Sequence, residues 1–170
     1  TFGVLVASVG VSVTSYAVDL DLTTSDTTFR SRTTVTFTAE PGTVSWIDLI
    51  APQVNEVVLN GAAMDTAGYD GARIPLTDLA ADNVLVVDAD CAYMNTGEGL
   101  HRFVDPVDDE VYLYTQFETA DSRRMYASFE QPDLKATFAL TVTAPQHWKV
   151  VSNAPTPLPV KMRSIARPWP

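Results

Sequence analysis

The chain has 170 residues, enough for one domain with a real core, and 46% of them are hydrophobic, which excludes a disordered polymer. Its formal net charge of −10 makes nucleic acid and anionic membrane surfaces poor partners. Cys91 is the single cysteine, so no intrachain disulfide forms, which fits a reducing, cytoplasmic setting.

Thr1–Val13 is an atypical apolar lead-in, rich in valine. It is too short for a membrane span of about 20 residues. No Lys or Arg precedes it, so it lacks the charged start of a secretory signal. From Tyr16 to Leu22 apolar and polar residues alternate, as in a strand with one wet face. Phe29–Thr38 repeats the pattern, with Phe29, Thr33, Val35 and Phe37 facing one way and Arg30, Arg32, Thr34 and Thr36 the other. Glu40-Pro41-Gly42 turns the chain into a strand over Val44–Ile50, where Trp46 and Ile47 point to opposite faces. Asn55–Leu59 runs into Asn60-Gly61, the strongest short hairpin signal in the chain. Turns around Arg73–Leu76 separate it from a strand over Val84–Tyr93, in which Cys91 extends the Leu85, Val87, Ala89 face.

Met94–Asp109 is the longest break in the pattern. Its two glycines lie beside charged residues, and no helical pattern comes after them to make a phosphate loop. His101 is expected to be a hydrogen-bonding group at the surface or between domains. Asp105, Asp108, Asp109 and Glu110 lack calcium-loop spacing and read as a solvated acidic hairpin. Val111 then opens a strand expected to reach Glu118. Val111, Leu113, Thr115 and Phe117 share one face, and Tyr112, Tyr114, Gln116 and Glu118 the other. An amide and a carboxylate thus stand side by side. Pro132 interrupts the polar connection after this strand, before a last strand over Ala136–Thr143. With no long helical periodicity, the chain reads as all-β, an antiparallel sandwich or saddle.

Thr115-Gln116-Phe117-Glu118, the pair Arg123-Arg124, and then Phe129-Glu130-Gln131-Pro132-Asp133-Leu134-Lys135-Ala136-Thr137-Phe138 form one string. That string resembles the aminopeptidase N family of zinc metallopeptidases, in the β domain that precedes the catalytic domain. Val151-Ser152-Asn153, Asn60-Gly61 and the strand from Tyr16 fall where the family has similar features. The resemblance spans residues 14–157. The lead-in at 1–13 and the Pro-rich, basic tail at 158–170 (Lys161, Arg163, Arg167) depart from it, so the chain is read as an incomplete N-terminal portion.

The resemblance implies a substrate-anchoring role. Glu118 would receive the α-ammonium of a peptide with a free N-terminus, across an interface with a downstream catalytic domain, and Gln116 would line the first-side-chain pocket. Zinc would belong to the full-length parent, with none bound by this chain. Neither His101 nor His147 begins an H-E-x-x-H motif, so this chain alone is expected to be inactive. Arg123 and Arg124 are expected to pair with nearby acids, and Glu130, Asp133 and Lys135 to serve turns and interfaces. Two other readings stand beside this one. One is a non-catalytic β-sandwich binding or assembly module. The other is a glycosidase-like Glu118/Glu130 acid pair, whose carboxyl spacing a sequence does not give.

Overall fold

A computed structural model describes residues 10–160. Ten strands succeed one another in the order β1 (Ser12–Asp21), β2 (Thr28–Thr38), β3 (Ser45–Asp48), β4 (Gln53–Leu59), β5 (Ala62–Ala63), β6 (Arg73–Leu76), β7 (Asp82–Ala92), β8 (Gly99–Val104), β9 (Val111–Gln116) and β10 (Thr137–Thr143). Two single 3₁₀ turns, at Thr66–Gly68 and Ser122–Arg124, are the only helical elements among the described residues. No helix there is long and apolar enough to cross a membrane.

The alternation in β2 explains why it sits mid-sheet. Phe29, Ser31, Thr33, Val35 and Phe37 are all buried, and the strand pairs with β1 on one side and β7 on the other. The main sheet runs β10-β1-β2-β7-β4-β5. β3 pairs with β6, and Ile47, Ile74 and Leu76 from that pair join Phe29, Phe37 and Leu85 in one hydrophobic cluster. Asn60 and Gly61 hold φ of 52° and 82°, the left-handed pair that a two-residue hairpin demands, between Leu59 and its partner Ala62.

The structure differs from the sequence reading in several places. β1 begins at Ser12, and Val11 and Val13 are buried, so the end of the lead-in belongs to the first strand and its core. The rest of that lead-in and the residues after 160 lie outside the described residues. β3 stops at Asp48, two residues short of Ile50, because Leu49 and Ile50 turn their N–H groups to Ala72 and Arg123. β8 lies inside the segment read as a break. β10 runs parallel to β1, against the antiparallel expectation. It lies at the sheet edge with Phe138 and Leu140 half exposed, and Phe138 stacks on Tyr16 at 4.8 Å.

The outer face of the sheet holds a buried carboxylate. Asp88 receives Arg30 Nε at 2.8 Å, Arg32 Nη1 at 3.0 Å and Asn55 Nδ2 at 3.4 Å. Burial pushes its pKa up, but these hydrogen bonds and the Arg30 charge outweigh burial and hold it below the usual carboxylate range. A carboxylate depressed in the folded state contributes stability above its unfolded pKa and loses it as the pH falls through the folded value. Asp88→Asn is therefore expected to cost about 1–3 kcal/mol at pH 7. The deficit should shrink as the pH drops below 3.8, the ordinary value for an aspartate side chain. Urea midpoints of both proteins across that range check it, and a deficit independent of pH would contradict it.

Candidate functional site: an amide–carboxylate pair at the root of a hairpin

β8 and β9 form an antiparallel two-stranded arm, with Gly99 opposite Gln116 at its root and Val104 opposite Val111 at its far end. Asp105–Glu110 closes the arm as the expected acidic turn, where the Glu110 N–H donates to Asp108 and the Val107 N–H to Asp105. Gly99 holds φ +59°, and a Cβ there would lie 2.8 Å from Arg124 Cβ. Only glycine therefore admits this approach of the arm to the Ser122–Arg124 turn.

β9 keeps the alternation read from the sequence only as far as Tyr114: Val111 and Leu113 are half-buried and Tyr112 and Tyr114 exposed, but Thr115, expected on the face of Leu113, is exposed like Gln116. The strand ends at Gln116, however, and Glu118 stands in the turn after it, not on the strand face. Gln116 and Glu118 still meet, through different atoms. The Glu118 backbone N–H donates to Oε1 of Gln116 at 2.9 Å. The amide thus pins the turn, and the Glu118 carboxylate is exposed with no hydrogen-bond or ion-pair partner among the described residues.

The segment after the turn is held firmly. Ser128 exchanges two backbone hydrogen bonds with Asp48, at 2.9 and 3.0 Å, and Ile50 donates to Arg123 at 2.7 Å. The Asp48 carboxylate is buried against Arg73 at 3.2 Å and Arg123 at 3.9 Å. Phe129 N–H donates to the Tyr16 hydroxyl at 3.0 Å, and burial pushes that phenol up to about 12, so it stays neutral. Arg124 pairs with Asp121 at 2.9 Å and Glu98 at 3.3 Å, as expected of the two arginines. Glu130 accepts from the hydroxyls of Ser122 at 2.6 Å and Ser128 at 3.2 Å, so this carboxylate has a structural role, while Glu118 has none. Asp48 had no signal in the sequence beyond being an acid on a strand.

His101 accepts the Gly97 N–H on Nδ1 at 3.0 Å and stacks on Tyr114, with ring centroids 4.7 Å apart. Cys91 is fully buried, and burial pushes its thiol up to about 12, which leaves it inert. Among the described residues no three His, Cys, Asp or Glu side chains come together to hold a metal ion, so these residues do not fit a zinc centre. Two cavities, of about 310 and 260 Å³, open on the surface, and neither is lined by Gln116 or Glu118. The pair stands on open surface.

These features define a class: an all-β domain that presents a carboxylate beside a hairpin arm. Residues 12–162 match the Peptidase M1 N-terminal domain, and the chain belongs to that family. Aminopeptidase N of Streptomyces lividans is 62% identical over 154 residues, covering 88% of this chain and 18% of that protein. Probable M1 family aminopeptidase 1 of Encephalitozoon cuniculi is 31% identical over 136 residues, covering 66% of this chain and 15% of that protein. The chain thus spans less than a fifth of the length of these relatives. Among solved structures, aminopeptidase A of Legionella pneumophila, in complex with aspartic acid, superposes with a TM-score of 0.65 at 14% identity, over 79% of this chain and 16% of that one. An M1 zinc metallopeptidase of Deinococcus radiodurans gives 0.61 at 19% identity, over 78% of this chain and 32% of that one. In both, the matched part has the fold of this chain.

Proposed function

We propose that the chain is the substrate-anchoring domain of a zinc aminopeptidase, and that Glu118 receives the α-ammonium of a peptide substrate while Gln116 lines the place of its first side chain. The observation that carries this reading is the exposed Glu118 carboxylate, which lacks a partner although most neighbouring acids have one. A peptide's α-ammonium has a pKa of about 7.7–8.0, so it is largely charged at neutral pH. A carboxylate held in a pinned turn accepts it through a charge-assisted hydrogen bond. Internal peptide segments lack that charge and would leave the acid unpaired, which selects chain ends over chain interiors.

Hydrolysis belongs in this proposal to a partnering catalytic domain that carries the zinc. The family membership and the aminopeptidase names of the relatives support that partnership. The lone buried cysteine fits a cytoplasmic setting for the whole. The test is to offer the full-length protein one peptide with a free N-terminus and the same peptide acetylated there. Cleavage of the free peptide alone is expected; equal cleavage of both would contradict the reading.

A further inference from the structure

Asn60-Gly61 closes the β4–β5 hairpin at one edge of the main sheet, and both residues are exposed. The pair carries a chemistry that the turn does not need. The Gly61 nitrogen is the next main-chain nitrogen after the Asn60 side-chain amide, close enough along the chain to close a cyclic imide with it. Glycine puts no side chain in the way: no heavy atom lies within 4 Å of where a Gly61 Cβ would stand.

We propose that Asn60 is a site of spontaneous deamidation, held in check while its side-chain amide is bound to Asn83 and Val84.

The reaction needs only water and a base from solvent. The Gly61 nitrogen gives up its proton and attacks Asn60 Cγ. The N–Cγ bond forms, the Cγ–Nδ2 bond breaks, and Nδ2 leaves as ammonia with a proton returned from solvent. Water then opens the imide. Addition at Cγ breaks the new bond and leaves aspartate; addition at the main-chain carbonyl leaves isoaspartate, with the chain running through the former side chain. No electrons are transferred.

The fold restrains the first step. The Val84 N–H donates to Asn60 Oδ1 at 2.9 Å, and Asn60 Nδ2 donates to Asn83 Oδ1 at 3.0 Å. The Asn60 N–H also reaches the Val84 carbonyl at 2.9 Å. Cγ meets the Gly61 nitrogen only if the amide turns away from both side-chain partners. Asn83 does not follow it: Asn83 is 1% exposed and bound to the Ala80 N–H and carbonyl at 2.9 and 2.7 Å. Reaction therefore waits for the hairpin to open. The edge makes such opening easy, since β5 is two exposed residues paired with β4 alone.

The product does not fit back. Aspartate has no Nδ2 donor and sets a carboxylate against Asn83 Oδ1, acceptor to acceptor. The Ala80 contacts fix the Asn83 amide, so it cannot turn its own nitrogen to meet the new charge. Isoaspartate lengthens the main chain inside the turn, so the Leu59–Ala62 pair loses its register. Each opening that ends in reaction thus leaves the hairpin altered for good.

The experiment incubates the full-length protein in mildly alkaline buffer, folded and unfolded in guanidinium chloride. Mass spectrometry of the tryptic peptide 33–73 follows amide-to-acid conversion, with Asn55, which precedes Glu56, as the comparison within that peptide. In the unfolded chain Asn60 should convert well ahead of Asn55, and Gly61→Ala should slow it. In the folded protein Asn60 should convert about tenfold more slowly or less, because reaction waits for opening. Asn83→Ala should raise the folded rate several-fold, in protein whose unfolding transition shows it to be folded. Should that variant not fold, the comparison of folded with unfolded parent decides alone. Equal rates in the two states would overturn the restraint, as would a folded Asn83→Ala protein converting no faster than the parent. An unfolded chain in which Asn60 converts no faster than Asn55, or in which Gly61→Ala changes nothing, would overturn the site itself.

Discussion

Replacing Glu118 by alanine is expected to lower kcat/KM of the full-length enzyme toward free-amine peptides about 10- to 150-fold, equivalent to about 1.5–3 kcal/mol for one charged hydrogen bond. Both kinetic constants should move. Lost binding raises KM, and a peptide no longer held in register lowers kcat. The size of the effect is itself informative. Glu118 is exposed in this domain, and an exposed ion pair is worth no more than about 1 kcal/mol. The larger loss therefore requires a neighbouring domain to shield the carboxylate from water, as the proposal demands. Gln116→Ala should give a smaller loss, because the Glu118 N–H loses its acceptor and the turn is pinned less tightly. Steady-state kinetics of the Glu118→Ala enzyme indistinguishable from the parent would reject the assignment.

The largest expected loss of stability comes from Phe37→Ala. Phe37 has no exposed surface, lies on β2 between β1 and β7, and meets Phe129 edge-on with centroids 5.1 Å apart. Removing the ring leaves a cavity costing about 3–5 kcal/mol, against about 5–15 kcal/mol for a whole domain. The damage would not stay in the core. Phe129 is tied to Tyr16 through its N–H, and its neighbour Ser128 is tied to Asp48, so the connection after Glu118 loses one of its supports. Phe37→Leu should recover most of the stability by refilling the site. Denaturant unfolding of the three proteins checks this, and a loss below about 1 kcal/mol for Phe37→Ala would contradict the packing described.

Much of this architecture was legible in the sequence, because strands with one buried face write a two-residue period into the chain. β2 is the clearest case: Phe29, Thr33, Val35 and Phe37 were readable as one face and are all buried. Asn60-Gly61 was readable because few residue pairs accept left-handed φ at both positions. β8 was not readable. It belongs to an arm that buries little, so Phe103 and Val104 point outward and no apolar face marks the strand. The parallel pairing of β10 with β1 was equally hidden, since alternation sets which face is buried and says nothing of strand direction.

The site shows the same division. Gln116 and Glu118 were found as neighbours two positions apart, but the same-face geometry failed because the strand stops between them. A side-chain-to-backbone bond joins them instead, which no periodicity encodes. Asp48 and Tyr16, which hold the segment after the turn, lie 80 and 113 residues from the groups they meet, Ser128 and Phe129, and only the fold brings them there.

The central claim is that the charge on residue 118 meets the charge on a peptide's first nitrogen. Inhibition constants for a competitive inhibitor bearing a free α-amine and for its amine-free analogue, each measured on the parent and on Glu118→Ala, form a cycle that isolates this pair. The parent should favour the amine-bearing inhibitor, and Glu118→Ala should lose that preference while binding the amine-free analogue about as well as the parent does. An equal preference for the amine in both proteins would show that some other group receives it.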